Sequence, residues 1–442
     1  MTTPAKQMRL GLYLQANGLH VASWRMPGTY TDPENFRPYL AQTMAAEKAK
    51  FDMVFLADSP HCNPQGTLGL MVKTEPLTLL AALAVTTSHI GLAATVSTTY
   101  TEPYNIARIL SSIDHLSGGR AAWNVVTGAQ PGAAANFGRA SHPPHDERYK
   151  IAEEYVEVIK GLWDSWEDDA FFVDREAGRF VDKNKMHRID HKGTYFSVAG
   201  PLNCSRSPQG YPVLIQAGAS EVGRAFAAAE AEVIFTVQQD HGLAKTFATE
   251  MREAVAKTGR NPAHFKIMPG VCPIVGSSEA DAKAKLTELC SYADPAVALR
   301  VLSDRMGQDL TPFPLDAPVP ELPPSGMMRG HAEALTNLAR TRGMTLRELR
   351  DYASTSMGHR LLIGSPEQVA DGLEEWFASG AADGFNIMPP WSPGALDDFV
   401  NEVVPILQKR GLFRTEYEGK TLRENLGIPR PPHPATLKAA AQ

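Results

Sequence analysis

The residues able to do chemistry are few, and most stand where an apolar run ends. In QAGASEVGRAF (216–226) such a run stops at Gly218, and Ser220 stands where a helix would begin. A strand, a glycine turn and a capped helix in that order aim free backbone N–H groups and the positive end of a helix dipole at one spot, which suits a phosphate. Gly218, Ala219 and Ser220 are therefore candidates for an anion cradle; ordinary serine capping is the competing reading. In HDERY (145–149) a spacing of four puts His145 and Tyr149 on one helix face, continuous with Ala152, Val156 and Ile159. Both side chains are expected to point inward, with a satisfied core histidine as the alternative. Asp58, in FLADSP, directly follows an apolar run, where it could accept hydrogen bonds from a ligand, act as a base or cap a turn. Asn124 is an amide set inside AAWNVV, and Thr127 and Gly128 end that run, so they read as polar lining of a site. His61, His142, His145, His187 and His191 follow no zinc spacing, and neither H-E-x-x-H nor G-x-S-x-G occurs, so neither a metal site nor a serine nucleophile is expected.

Eight short β-type runs carry these residues: 8–14, 52–56, 90–96, 121–126, 212–216, 233–237, 267–275 and 384–388. Helical patterns of period 3.6 separate them, several opening on proline. Strict alternation with eight strands predicts an α/β fold, a closed (β/α)8 TIM barrel, and no G-x-G-x-x-G follows the first run to favour a dinucleotide-binding sheet. Active sites of such barrels lie just past the strand ends. That position adds Asn17, His20, His61, Ser97, Thr98 and Trp391 as candidates. Phosphate in these barrels more often binds after strands seven and eight, which weighs against the 218–220 turn. Two connections, about 127–211 and 276–383, exceed any ordinary crossover and read as insertions into one domain spanning 1–442. The second holds PFPLDAPVPELPPSG (312–326), expected either to cover one mouth or to link two units. The extension from about 411 to 442 is aromatic and patterned, and is expected to pack on the barrel or on a second subunit.

Composition narrows the partners. The net charge of −6 comes with no basic run, which argues against nucleic acid and an anionic membrane surface. Four cysteines far apart, without C-x-x-C, fit a reducing compartment, and the first residues lack an apolar signal core. A cytoplasmic protein acting on a small molecule is expected.

Many motifs in order, among them FDMVFLADS, ATVSTTYTEPYNIAR, DHLSGGRAAWNVVTG, HDERY, SPQGYPVLIQAGAS, GSPEQVADGLEEWF, DGFNIMPP and LFRTEYEGKTLRENLG, resemble one family over nearly the whole chain. It is the bacterial luciferase-like flavin monooxygenases, in the branch of nitrilotriacetate, dibenzothiophene sulfone and long-chain alkane monooxygenases. The resemblance implies reduced FMN supplied by a separate NAD(P)H:flavin reductase, O2 as co-substrate, a C4a-peroxyflavin and a homo-oligomer, either dimer or tetramer. It implies FMN contacts at Asp58, Ser97, Thr98, Asn124, Thr127, His145, Tyr149 and the 218–220 turn. Asn17, His20, His61 and Trp391 remain substrate candidates from strand-end position alone. A deazaflavin- or flavin-dependent oxidoreductase without oxygenation is the alternative on the same barrel.

Overall fold

The computed structural model describes residues 6–63, 71–128, 130–218, 220–320 and 329–440. Eight parallel strands form the wall: β1 (Arg9–Tyr13), β2 (Met53–Leu56), β3 (Gly91–Ser97), β4 (Ala121–Val126), β5 (Val213–Gln216), β6 (Val233–Thr236), β7 (Lys266–Val275) and β8 (Gly384–Ile387). Each pairs with its neighbours in chain order, and β8 pairs back on β1, which closes a (β/α)8 barrel. A ninth strand, Arg360–Gly364, escaped the sequence reading. It pairs with Val271–Val275, the upper half of the ten-residue β7, and lies inside the second insertion, where a short half-buried run carries no periodic signal.

The helices are α1 (Phe36–Lys48), α2 (Pro76–Ala84), α3 (Pro103–Ser117), α4 (His145–Trp163), α5 (Glu221–Glu230), α6 (His241–Lys257), α7 (Glu279–Ser291), α8 (Pro295–Met306), α9 (Arg329–Arg342), α10 (Leu346–Ser356) and α11 (Pro366–Ala378). Proline at the first position of α2, α3, α8 and α11 sacrifices no hydrogen bond, because that N–H has no helical partner. Alternate strand residues face opposite ways: Leu10, Leu12, Val54, Leu92 and Trp123 pack under the helices, while Phe55, Ala93, Ala122, Ile215 and Met268 fill the interior.

The C-terminal extension closes the bottom of the barrel. Leu422, Leu426 and Ile428 join the interior cluster with Met53, Ala93, Val213 and Val233. Buried cations hold the plug: Arg423 pairs with Glu232 and donates to the Tyr211 carbonyl, and Arg414 pairs with Asp52. The SGGR turn belongs to the same end. Gly118 and Gly119 adopt positive φ, and the buried Arg120 guanidinium donates to the carbonyls of Ala84, Thr87, Ile90 and Ser117. That motif therefore clamps the start of β4, whereas Asn124 and Thr127 lie toward the other end.

Both long connections build structure around the top. The first carries α4, which packs on α3 and α5, and a hairpin of Phe171–Asp174 with Arg179–Val181. The second carries α7 to α10, whose own core includes Leu302, Met306, Leu335, Leu349 and Tyr352. Of the proline-rich segment, Pro318 bridges to Thr345, and 321–326 lie outside the described residues. Among the described residues no helix is long and apolar enough to cross a membrane.

Candidate active site

The ends of β4 and β5 and the start of α4 form one polar corner. Ser220 is the N-cap of α5: its Oγ accepts from the Gly223 N–H at 3.1 Å and lies 3.3 Å from His145 Nε2. The N–H groups of the first helical turn have no helical carbonyl to bind, so α5 presents donors there. The Tyr149 hydroxyl reaches the side chains of Ser220, Gln216 and Thr127, and burial pushes its pKa up. The approach is close: a Cβ on Gly218 or on Gly223 would lie 2.6 Å from that hydroxyl. Gln216 fixes the turn by accepting from the Gly218 N–H at 2.7 Å. The His145 and Tyr149 rings are 5.1 Å apart, but only Tyr149 is buried, because His145 occupies the first, solvent-facing turn of α4 and bonds Asp146 at 2.8 Å. Ala219 lies outside the described residues.

Arg148, in the same HDERY motif, was not singled out from sequence. Its guanidinium donates to the Gly128 carbonyl and lies 3.3 Å from Thr127 Oγ1, which puts a cation on the ends of β4. Burial lowers its pKa, and the Tyr149 and Tyr100 hydroxyls oppose that. Tyr100 Oη and His142 Nδ1 are 2.5 Å apart, and the Tyr100 ring stacks on Phe137 at 4.8 Å, forming the outer rim.

Deeper in, Asn124 donates to Thr95 Oγ1 at 2.8 Å across β3 and β4, while its Oδ1 is buried without a partner. Ser97 Oγ accepts from the Thr99 N–H, and the Thr98 N–H donates to the Val126 carbonyl, so both are tied into the strand ends. Asp58 is half-buried at the end of β2. Desolvation raises its pKa, and Lys73, which donates to the Ala57 carbonyl at 2.8 Å, pulls it the other way. Opposite, His20 is fully buried; its Nδ1 accepts from the Ala22 N–H at 3.0 Å, so its proton sits on Nε2, which has no partner. Burial pushes its pKa down to about 3, keeping it neutral. Asn17 is buried nearby, and its carbonyl accepts from the Ser392 N–H at 3.2 Å. His61 is half-exposed against Gly132. Trp391 packs with Met26, Ile274, Leu289 and Ala395, which by itself accounts for its burial. Asn386, also missed from sequence, projects into the interior beside Gly11, and both its amide atoms are buried without partners.

The upper mouth of the barrel thus offers a capped helix N-terminus, a cation, a tyrosine hydroxyl and unpartnered amide groups, donors and acceptors of the kind that can hold a phosphate-bearing, hydrogen-bonding ligand. Comparison with known proteins gives the family. The family model for luciferase-like monooxygenases matches residues 17–383. N-acetyl-S-(2-succino)cysteine monooxygenase of Bacillus subtilis (strain 168) is 49% identical, covering 98% of this chain and 99% of its own. Nitrilotriacetate monooxygenase component A of Aminobacter aminovorans is 45% identical, covering 96% and 97%. The crystal structure of DmoA from Hyphomicrobium sulfonivorans superposes with a TM-score of 0.88 at 33% identity, covering 98% and 96%. The chain belongs to the luciferase-like monooxygenase family, flavin-dependent enzymes that use reduced flavin and O2. Oxygenation is therefore favoured over the oxidoreductase alternative.

Proposed function

We propose that this chain is the oxygenating component of a two-component system: it takes reduced FMN from a separate NAD(P)H:flavin reductase and oxygenates a small organic substrate with O2. The observation that carries the reading is the corner of Thr127, Arg148, Tyr149 and Ser220 beside the unpartnered Asn124 Oδ1. The word "component" in the name of the Aminobacter relative supports the division of labour, as does the absence of a dinucleotide fingerprint after β1. The FMN phosphate is assigned to the 218–220 turn, the start of α5 and His145. Arg148 and Tyr149 hold the adjoining polar chain, and Asn124, with Thr127, Ser97 and Thr98, faces the ring side. Bound FMN supplies the activation of O2 and the oxygen transfer. The chain's own residues bind, orient and keep the site dry. Burial raises the Asp58 pKa above the ordinary carboxylate value, and His20 offers a neutral Nε2–H donor over the physiological range. Asn17 and His61 remain assigned to the substrate side. We place the protein in the cytoplasm as a homo-oligomer, dimer or tetramer. The test is direct: reduced FMN generated by an unrelated reductase, O2 and the chain with candidate substrates are mixed, and product is followed by mass spectrometry with 18O2. One 18O atom in the product supports the reading. Failure to bind FMN overturns it.

A further inference from the structure

Across the mouth from the proposed flavin corner, one cation on α8, Arg305, makes no ion pair among the described residues. On α8, Val301 is buried in an apolar cluster with Leu19, Cys272 and Met388, against which Tyr13 and Phe235 also pack. Arg305 lies one turn further along the same face of that helix. Its charge acts on Tyr13, at the end of β1, and on His359. Those two residues end a run of rings crossing the interior: Tyr13 against Phe55 (6.1 Å), Phe55 against Phe235 (5.2 Å) and Phe235 stacked on His359 (5.1 Å, 9°). Asp58 acts on Tyr13 as well, so Arg305 and the flavin-side carboxylate bear on the same ring. Among the described residues Arg305 makes no hydrogen bond and no ion pair; the exposed carboxylate of its chain neighbour Asp304 acts on it only through space, opposing the effect of burial. The chain's structural arginines differ: Arg206, Arg414 and Arg423 each hold a carboxylate, and Arg120 is surrounded by carbonyls. A desolvated guanidinium left without a partner is costly, and that cost is removed when a ligand brings the anion.

We propose that Arg305 anchors a carboxylate of the substrate, so that the compound oxygenated here is an organic acid. The planar fork of donors matches a carboxylate in two parallel hydrogen bonds. The ring run of Tyr13, Phe55, Phe235 and His359 supplies an apolar floor for the carbon skeleton. Burial pushes His359 down to about 3, so at neutral pH it adds no second charge and the anion is recognised by Arg305. The assignment rests on the flavin reading for the identity of the reaction, and the test separates the two. FMN binding to the full chain is followed by fluorescence quenching. Acetate, succinate, iminodiacetate and citrate, with the amides of the first two, are titrated by calorimetry against FMN-loaded protein. At least one acid binds while its amide does not. Arg305→Met weakens that acid at least tenfold, Arg305→Lys recovers part of the loss, and FMN affinity stays within twofold in both. Should Arg305→Met not fold, Arg305→Gln makes the same comparison. Equal binding of the acid by wild type and variant, or no acid bound by the wild type, overturns the assignment. Wild type that binds no FMN overturns the flavin reading instead, and the same titrations on flavin-free protein still decide Arg305.

Discussion

Replacing Gly218 by alanine tests the proposed flavin corner at its tightest point. The new Cβ would lie 2.6 Å from the Tyr149 hydroxyl and 2.3 Å from Gln216 Nε2, and both of those side chains are buried. Gly218 is not among the residues at positive φ, so the effect is steric and not a matter of backbone conformation. Contacts under 3 Å force movement, and overpacking of this kind costs about 1–3 kcal/mol. Displacing Tyr149 also moves its hydroxyl away from Ser220, Gln216 and Thr127. The expected loss of FMN affinity is thus about 1–3 kcal/mol, roughly 5- to 150-fold. Titration of FMN by fluorescence quenching measures it. The double variant with Tyr149→Phe isolates the tyrosine's share, because removing the hydroxyl relieves one of the two contacts. Gly218→Ala in that background is expected to cost less than it does alone. FMN affinity unchanged in Gly218→Ala, or a cost just as large without the hydroxyl, would refute the reasoning.

Four further outcomes are expected. Ser220→Ala weakens FMN by about 1–2 kcal/mol while riboflavin, which lacks the phosphate, binds as before; an equal loss for both ligands would reduce Ser220 to a helix cap. Arg423→Met leaves Glu232 without its cation at the barrel bottom and lowers unfolding stability by about 3 kcal/mol in urea titrations. His20 has a folded pKa of about 3, far below the ordinary value of 6.5, so the unfolded chain binds the extra proton first. Its stabilising contribution is present above pH 6.5 and is lost as pH falls towards 3, and His20→Gln should therefore show a shallower fall in melting temperature across that window. With FMN, NADH and air the chain alone consumes no NADH above the blank; steady FMN-dependent oxidation by the pure chain would show that it has its own nicotinamide site.

The barrel was legible because its signals are local and repeated. Each of the eight wall strands is a short apolar run set between helical patterns, and proline marks the first turn of several helices. Arg360–Gly364 was not, since its pairing with the upper half of β7 is long-range and its residues are only half-buried. In the site, a cap signal found Ser220, and helical spacing placed His145 and Tyr149 side by side. Spacing could not say that the first turn of α4 stays in solvent, so His145 is exposed where both were expected inward. Arg148 lay in view within HDERY, but an arginine next to a glutamate reads as surface until the Gly128 carbonyl is seen to receive it. Arg305 carries no sequence signal at all. Its meaning comes from α8 packing by Val301 against the mouth, which only the fold of the second insertion determines.

The two ends of the barrel hold their buried arginines differently. At the bottom Arg9 and Arg414 share Asp52, Arg423 holds Glu232, and Arg120 is enclosed by carbonyls. Ion pairs of this kind offset their own desolvation and seal the end. Toward the interior and the top, Asn124 Oδ1, His20 Nε2 and both amide atoms of Asn386 are buried without partners, and among the described residues Arg305 makes no ion pair. Buried polar atoms are nearly always satisfied in folded proteins, so the groups left open around the mouth are candidates for completion by a bound molecule. Their chemistry separates two kinds of occupant. The helix N-terminus, Arg148, Tyr149 and Asn124 suit a cofactor with a phosphate and many hydrogen-bonding atoms, and Arg305 above a floor of aromatic rings suits an acid with an apolar skeleton. An oxygenating site needs both, with the reacting carbon held against the flavin and water kept out, and α8 is the element that joins the second requirement to the first.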